Sequence, residues 1–165
     1  MKTILLFMMG LVTLSALNAQ NRISISDFKN LDGSSWSGSL MYVDYGNGKQ
    51  VTLRTTMQIE LEIEDEAVII HTQYTDEPSA NGTSNLRITN NGGNLNKEKV
   101  VKKEILSNGG LNFITLMKGK DNNKPAKIYT HYTIGETLFS ITKKVIYDES
   151  QEVLIRSRFT YTKLQ

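Results

Sequence analysis

Residues 51–63 read Val-Thr-Leu-Arg-Thr-Thr-Met-Gln-Ile-Glu-Leu-Glu-Ile. Six of the seven odd positions in this stretch are apolar, and every even position is polar or charged. Successive side chains of a β-strand point to opposite faces, so this alternation predicts a strand with one face on a core and the other in water.

The same alternation returns along the rest of the chain. It covers residues 37–45, 67–75, 84–90, 98–107, 111–118, 126–135, 137–147 and 151–163. Most of the intervening turns are short and rich in Gly, Asn and Asp, which favours antiparallel pairing of sequence neighbours. Residues 76–83, 91–97 and 119–125 are longer and polar, and we expect them to form loops at one rim. The pattern predicts an all-β protein of about 8–10 strands.

A short helix is expected before the first strand. Ser24 or Ser26 can cap it, and Ile25, Phe28 and Leu31 are spaced to cover one side. The strands that follow form an up-and-down meander, and closure into a single barrel removes its edges. Two packed sheets are the alternative architecture.

The N-terminus has the features of a secretory signal peptide. Lys2 precedes an apolar run from Ile4 to Leu14, and small residues lead to Ala19. The run is shorter than the roughly 20 residues that cross a bilayer. We therefore predict a signal peptide over residues 1–19, a barrel domain over residues 20–165, and a periplasmic or extracellular location.

Composition narrows the chemistry further. The chain contains no cysteine, which excludes disulfides and thiolate metal sites and leaves no cysteine for lipid attachment. Its formal charge is +2, about +1 without Lys2, and the charged residues are scattered along the sequence. We expect no nucleic-acid partner and no membrane-spanning segment in the mature chain.

The first predicted strand carries a motif. It reads Trp36-Ser37-Gly38-Ser39-Leu40-Met41-Tyr42-Val43-Asp44-Tyr45. This segment resembles the first strand of lipocalin-like proteins of the calycin superfamily, in particular exported bacterial members of unknown function. The resemblance implies a barrel whose base is closed by Gly33 and Trp36. It also implies that an arginine of the last strand, Arg156 or Arg158, covers the indole through a cation–π contact.

No catalytic or metal-binding motif accompanies the barrel pattern. His71 and His131 are each isolated from other potential ligands, and the chain has no Gly-x-Ser-x-Gly sequence. We expect a protein without enzymatic activity, cofactor or metal.

The last strand leaves two orientations open. Arg156, Arg158, Thr160 and Thr162 share one face, while Ile155, Ser157, Phe159 and Tyr161 share the other. An inward arginine face would offer a site for a ligand carboxylate. The opposite orientation would pack Phe159 and Tyr161 inside.

These features predict a non-catalytic binding protein that holds a small apolar ligand, such as a lipid, in the barrel interior. The candidate ligand-binding residues are Met57, Ile59, Ile70, Phe113, Met117, Tyr132, Arg158 and Phe159. The alternative is a filled barrel that acts as an interaction or accessory module of the cell envelope, without a ligand.

Overall fold

A computed structural model describes residues 21–165. The predicted signal peptide lies outside the described residues, so it stays a prediction. Within residues 21–165, no helix is both long enough and apolar enough to cross a membrane.

The described chain folds into ten antiparallel strands with two short 3₁₀ helices, Ile25–Leu31 and Pro78–Ala80. The strands are β1 (Ser34–Val43), β2 (Gln50–Glu62), β3 (Ala67–Tyr74), β4 (Gly82–Thr89), β5 (Asn94–Leu95), β6 (Glu98–Ile105), β7 (Leu111–Asp121), β8 (Lys124–Ile134), β9 (Leu138–Tyr147) and β10 (Val153–Lys163). Each strand pairs with its sequence neighbours, and β1 also pairs with β10. The all-β class and the closed up-and-down barrel are confirmed, as is the short helix before β1.

Two of the expected long loops are shorter than the sequence pattern indicated. Residues 91–97 contain β5, and Leu95 is buried in the main core. Residues 119–125 are mostly strand, because β7 and β8 are joined by Asn122 and Asn123 alone. Both asparagines have positive φ, at 48° and 63°, which is the conformation that a tight two-residue hairpin requires.

One end of the barrel, called the base here, is closed by the N-terminal helix and by Trp36. Phe28, Leu31 and Trp36 are fully buried, and the Phe28 ring meets Phe113 edge-on at 5.8 Å between centroids. The helix is held in place at Asp27, whose carboxylate accepts a hydrogen bond from the backbone N–H of Ser24 at 2.7 Å. The same carboxylate forms an ion pair with Lys103 of β6 at 2.7 Å.

The cation over Trp36 is Lys163, and the expected arginine is elsewhere. Lys163 Nζ lies 5.8 Å from the indole centroid and donates to the backbone oxygen of Asn30 at 3.2 Å. Antiparallel pairing sets Trp36 directly opposite Lys163. Arg156 lies seven residues earlier on β10, roughly 23 Å away along an extended strand. Gly33 does lie at the base, where its N–H donates to the carbonyl of Ile59 at 3.0 Å.

A β-bulge in β10 resolves the orientation that the sequence left open. The register of β10 against β9 shifts between Ile155 and Ser157, so Arg156 is the extra residue. Arg156 and Tyr161 are buried, whereas Arg158 is exposed on the outer face. Neither of the two predicted sets of residues therefore shares a single face of the last strand.

Gly38 lies at the seam where β1 closes onto β10. It pairs with Tyr161, and a Cβ added at Gly38 would lie 2.0 Å from the backbone oxygen of Thr160 and 2.8 Å from Tyr161 Cδ1. The absence of a side chain lets the tyrosine ring lie against the backbone of β1. Closure of the barrel at this point therefore depends on glycine.

We expect Gly38→Ala to lower the free energy of unfolding by about 1 to 3 kcal/mol, because the added methyl group overlaps a neighbouring strand. Gly119→Ala is the matched control, since a Cβ at Gly119 of β7 meets nothing within 4 Å. Urea unfolding of both variants measures the difference. Equal stability of the two variants would contradict this account of the seam.

Candidate functional site

The barrel interior contains a cavity of about 340 Å³. Its walls come from β2, β3 and β4 on one side and from β9 and β10 on the other. The lining residues are Met57, Ile70, Thr72, Tyr74, Ala80, Gly82, Thr83, Ser84, Ile141, Phe159 and Tyr161. The cavity therefore reaches from one wall of the barrel to the other.

The deep part of the cavity is mainly apolar, and its opening is polar. Met57 and Ile70 are buried, and Ile141 and Phe159 pack against the same core cluster. Four lining residues around the β3–β4 connection are exposed and form what we call the mouth: Ala80, Gly82, Thr83 and Ser84. None of the lining residues carries a charge.

Two buried hydroxyl groups lie close together beside the cavity: that of Tyr161, which lines it, and that of Thr55, which does not. Tyr161 and Thr55 are each only 1% exposed, and the Tyr161 hydroxyl lies within reach of the hydroxyls of Thr55 and Thr72. Both residues pair with Gly38, from opposite sides of β1. Burial raises the pKa of Tyr161 to about 12, while the hydroxyls of Thr55 and Thr72 act to lower it.

Three of the eight predicted ligand-binding residues line the cavity, and the other five lie elsewhere in the barrel. Met57, Ile70 and Phe159 line it. Ile59 is buried in the main core, outside the lining.

Four further residues of the predicted set do not line the cavity. Phe113 and Tyr132 stack on each other at 4.4 Å between ring centroids, within the core. Met117 packs against a smaller cluster that consists of Ala126, Ile128 and Val145. Arg158 is on the outer face of β10, because the bulge at Arg156 reverses the facing of the residues that follow.

Sequence reasoning missed Ile141 and Tyr161 as lining residues, together with the polar residues of β3 and β4. Tyr161 shares its face with Phe159, so alternation within β10 was a usable signal. The contributions of β3 and β4 depend on cross-strand register, which a single sequence does not display.

A buried ionic network closes the barrel at the end opposite the base, over β7 to β10. Arg156 Nε and Nη2 donate to Asp121 Oδ2 at 3.1 and 2.5 Å, and both side chains are almost fully buried. The hydroxyls of Tyr45 and Tyr147 donate to the same carboxylate at 2.6 and 2.7 Å. The guanidinium also lies 4.2 Å from the centroid of the Tyr45 ring.

The network controls the ionisation of Asp121. Burial acts to raise the pKa of Asp121, but hydrogen bonds from Arg156, Tyr45 and Tyr147 outweigh it and hold that pKa below its usual value. Asp121 is therefore ionised at neutral pH, and the Arg156 charge is compensated locally. The Arg156 side chain is therefore paired with Asp121, at the end of the barrel opposite Trp36.

Neither histidine lines the cavity. His71 Nδ1 and the hydroxyl of Thr83 are 2.8 Å apart. His131 lies on the outer wall, where burial and then the charge of Lys144 lower its pKa. Over residues 21–165, no three His, Cys, Asp or Glu side chains come together in a way that could hold a metal ion.

No protein-family model matches the chain, and no curated protein matches it either. The interpretation of the site therefore depends on its own geometry.

We expect Asp121→Asn to destabilise the fold by about 3 to 5 kcal/mol at neutral pH, because it leaves the Arg156 charge buried without its partner. The folded-state pKa of Asp121 is depressed, so its contribution is present above the unfolded-state pKa and is lost as pH falls through the folded-state pKa. Urea unfolding at neutral pH and through the acid range measures both effects.

Asp76→Asn provides the matched control. Asp76 forms an exposed ion pair with Arg54 at 2.8 Å, so its loss should change stability little. An Asp121→Asn protein as stable as the Asp76→Asn protein would contradict a structural role for the buried network.

Proposed function

We propose that this protein binds a small, largely apolar molecule inside its barrel and catalyses no reaction. The observation that carries the proposal is the cavity of about 340 Å³, which lies within the range of known ligand pockets, about 300 to 1,000 Å³. Its inner wall is built mainly from Met57, Ile70, Ile141 and Phe159.

The arrangement of the core supports this proposal over a filled barrel. The largest aromatic side chains at the base, Phe28, Trp36, Phe113 and Phe139, pack among themselves and with the N-terminal helix. They occupy the closed end and leave the space between β2–β4 and β9–β10 open. A rigid base beneath an open interior is suited to holding a ligand without rearrangement.

We also propose that the protein is an exported lipocalin-like member of the calycin superfamily. Three observations support this assignment: the closed antiparallel barrel, the segment Trp36–Tyr45, most of which lies in the first strand, and the signal-like residues 1–19. A periplasmic or extracellular location would follow from the third.

Ile141→Trp should block ligand binding, because the larger side chain would occupy the cavity that Ile141 lines. A suitable probe is N-phenyl-1-naphthylamine, a neutral aromatic compound whose fluorescence rises in apolar surroundings. We expect its affinity to fall about tenfold or more, equivalent to about 1.4 kcal/mol.

Ile114→Trp is the control, since register places Ile114 of β7 beside His131 on the outer wall. Circular dichroism of both variants would verify that the barrel is folded. Failure of the unmodified protein to bind any apolar probe would overturn the proposed function.

A second candidate function is docking to an anionic membrane surface through the outer wall of β7–β10. The only carboxylate in these four strands is Asp121, which is buried with Arg156. Register places Lys118 beside Lys127, and Tyr129 between Leu116 and Lys144, on the outer face. Basic residues interleaved with half-exposed apolar side chains suit a negatively charged lipid surface.

The charge reversals Lys127→Glu and Lys144→Glu, combined in one protein, test this candidate. We expect them to reduce co-sedimentation with vesicles of phosphatidylglycerol and phosphatidylcholine about tenfold or more, since each basic residue contributes about 1 kcal/mol near such a surface. Lys29→Glu with Lys49→Glu is the matched control, because neither residue lies on β7–β10. Equal binding of both double variants, or equal binding to pure phosphatidylcholine, would reject the candidate.

A further inference from the structure

We propose that a depression on the outer wall of β8–β10 binds a phosphate group, which is either free in solution or part of a lipid headgroup. The depression has a volume of about 270 Å³ and is separate from the interior cavity. The inference therefore goes beyond the binding of an apolar molecule inside the barrel. Six of the lining residues are basic or carry a hydroxyl: His131, Lys144, Arg158, Ser140, Thr142 and Thr160.

The depression is formed by short side chains that lie among long ones. Register sets Thr142 of β9 between His131 of β8 and Arg158 of β10. Thr142 is only 9% exposed although it lies on the outer face. Ser140, two residues earlier on the same face of β9, pairs with Thr160 of β10. Thr142 therefore lies at the floor, with a basic side chain on either side.

The positive charge of this wall has no carboxylate beside it. Neither Lys144 nor Arg158 forms an ion pair with any residue from 21 to 165. The strands β1, β8, β9 and β10 contain no Asp or Glu, and Glu136 of the turn before β9 does not line the depression. Like charges repel one another, so an anion between them would be stabilised.

The surroundings of His131 show how close these charges are. On the outer face β7 contributes Ile114, β8 contributes Tyr129, and β9 contributes Thr142 and Lys144. Burial lowers the pKa of His131, and the charge of Lys144 lowers it further. The imidazole therefore lies within the field of a cation on the neighbouring strand.

The set of donors suits a phosphate better than a carboxylate. A guanidinium alone can satisfy a planar carboxylate through two parallel hydrogen bonds. Here the guanidinium is accompanied by an ammonium group, an imidazole and hydroxyls from two strands, which offer donors in several directions. A phosphate monoester has three acceptor oxygens and a charge of about −1.5 to −2 at pH 7, which matches the two fixed cations.

The test follows both histidine rings of the unmodified protein by NMR during titration with inorganic phosphate. We expect phosphate to raise the pKa of His131 by about one pH unit, because a nearby anion stabilises the imidazolium. His71 of β3 is the internal reference, since it does not line the depression. Sodium chloride at equal ionic strength is the control for screening.

Arg158→Gln should weaken phosphate binding about tenfold, because it removes a fixed charge and its paired donors. Arg87→Gln is the matched control, since it makes the same chemical change at an exposed arginine of β4, outside the depression. Thr142→Val removes the hydroxyl at the floor with little change of shape, and we expect weaker binding there as well. Circular dichroism would verify that all three variants are folded.

Vesicles of phosphatidate and phosphatidylcholine distinguish the two sources of the phosphate. Co-sedimentation that falls in Arg158→Gln and persists in Arg87→Gln would support a lipid headgroup as the ligand. Binding of inorganic phosphate without such co-sedimentation would support a soluble phosphate compound.

Two results would overturn the inference. One is a rise in the pKa of His131 that is equally large in sodium chloride. The other is equal phosphate affinity of Arg158→Gln and Arg87→Gln. Either result leaves the proposed function intact, because neither His131 nor Arg158 lines the interior cavity.

Discussion

The pairing of β1 with β10 is the constraint on which the other features depend. It closes the sheet, and its register sets Trp36 opposite Lys163 and Gly38 opposite Tyr161. The first pair covers the base of the barrel with a cation over the indole. The second pair brings a tyrosine across the seam, because only a residue without a side chain leaves room for the ring. Closure and the polar part of the cavity thus have the same structural origin.

The bulge at Arg156 determines which side chains of the last strand point into the barrel. An extra residue in one strand reverses the face of the sheet on which each later side chain of that strand lies. Here it turns Arg156 inward toward Asp121, leaves Phe159 and Tyr161 inside, and places Arg158 outside. Without the bulge, strict alternation would put Arg156 and Arg158 on the same face. The barrel would then have to bury a second guanidinium or expose both.

The fold was predictable from the sequence because alternation is a local property. Residues 51–63 and the similar segments indicate strands directly, and short turns indicate antiparallel neighbours. The cavity was predictable only in part, since Met57, Ile70 and Phe159 lie on apolar faces that alternation identifies. Arg158 was assigned to the interior because the alternation of polar and apolar residues does not reveal the bulge at Arg156. The cation over Trp36 was misassigned because register decides which residue lies opposite the indole.

The cavity lies between an aromatic base and a compensated ion pair, and its lining contains no charged side chain. At the base, stacked and edge-on aromatic rings fill the space. At the other end, Asp121 compensates Arg156, and hydrogen bonds from two tyrosines satisfy the carboxylate. A compensated ion pair exerts a weak field at a distance, because the potentials of its two charges nearly cancel. The cavity is therefore lined by hydroxyl groups and apolar side chains, and a ligand of the proposed kind would be selected there by shape and hydrogen bonding rather than by net charge.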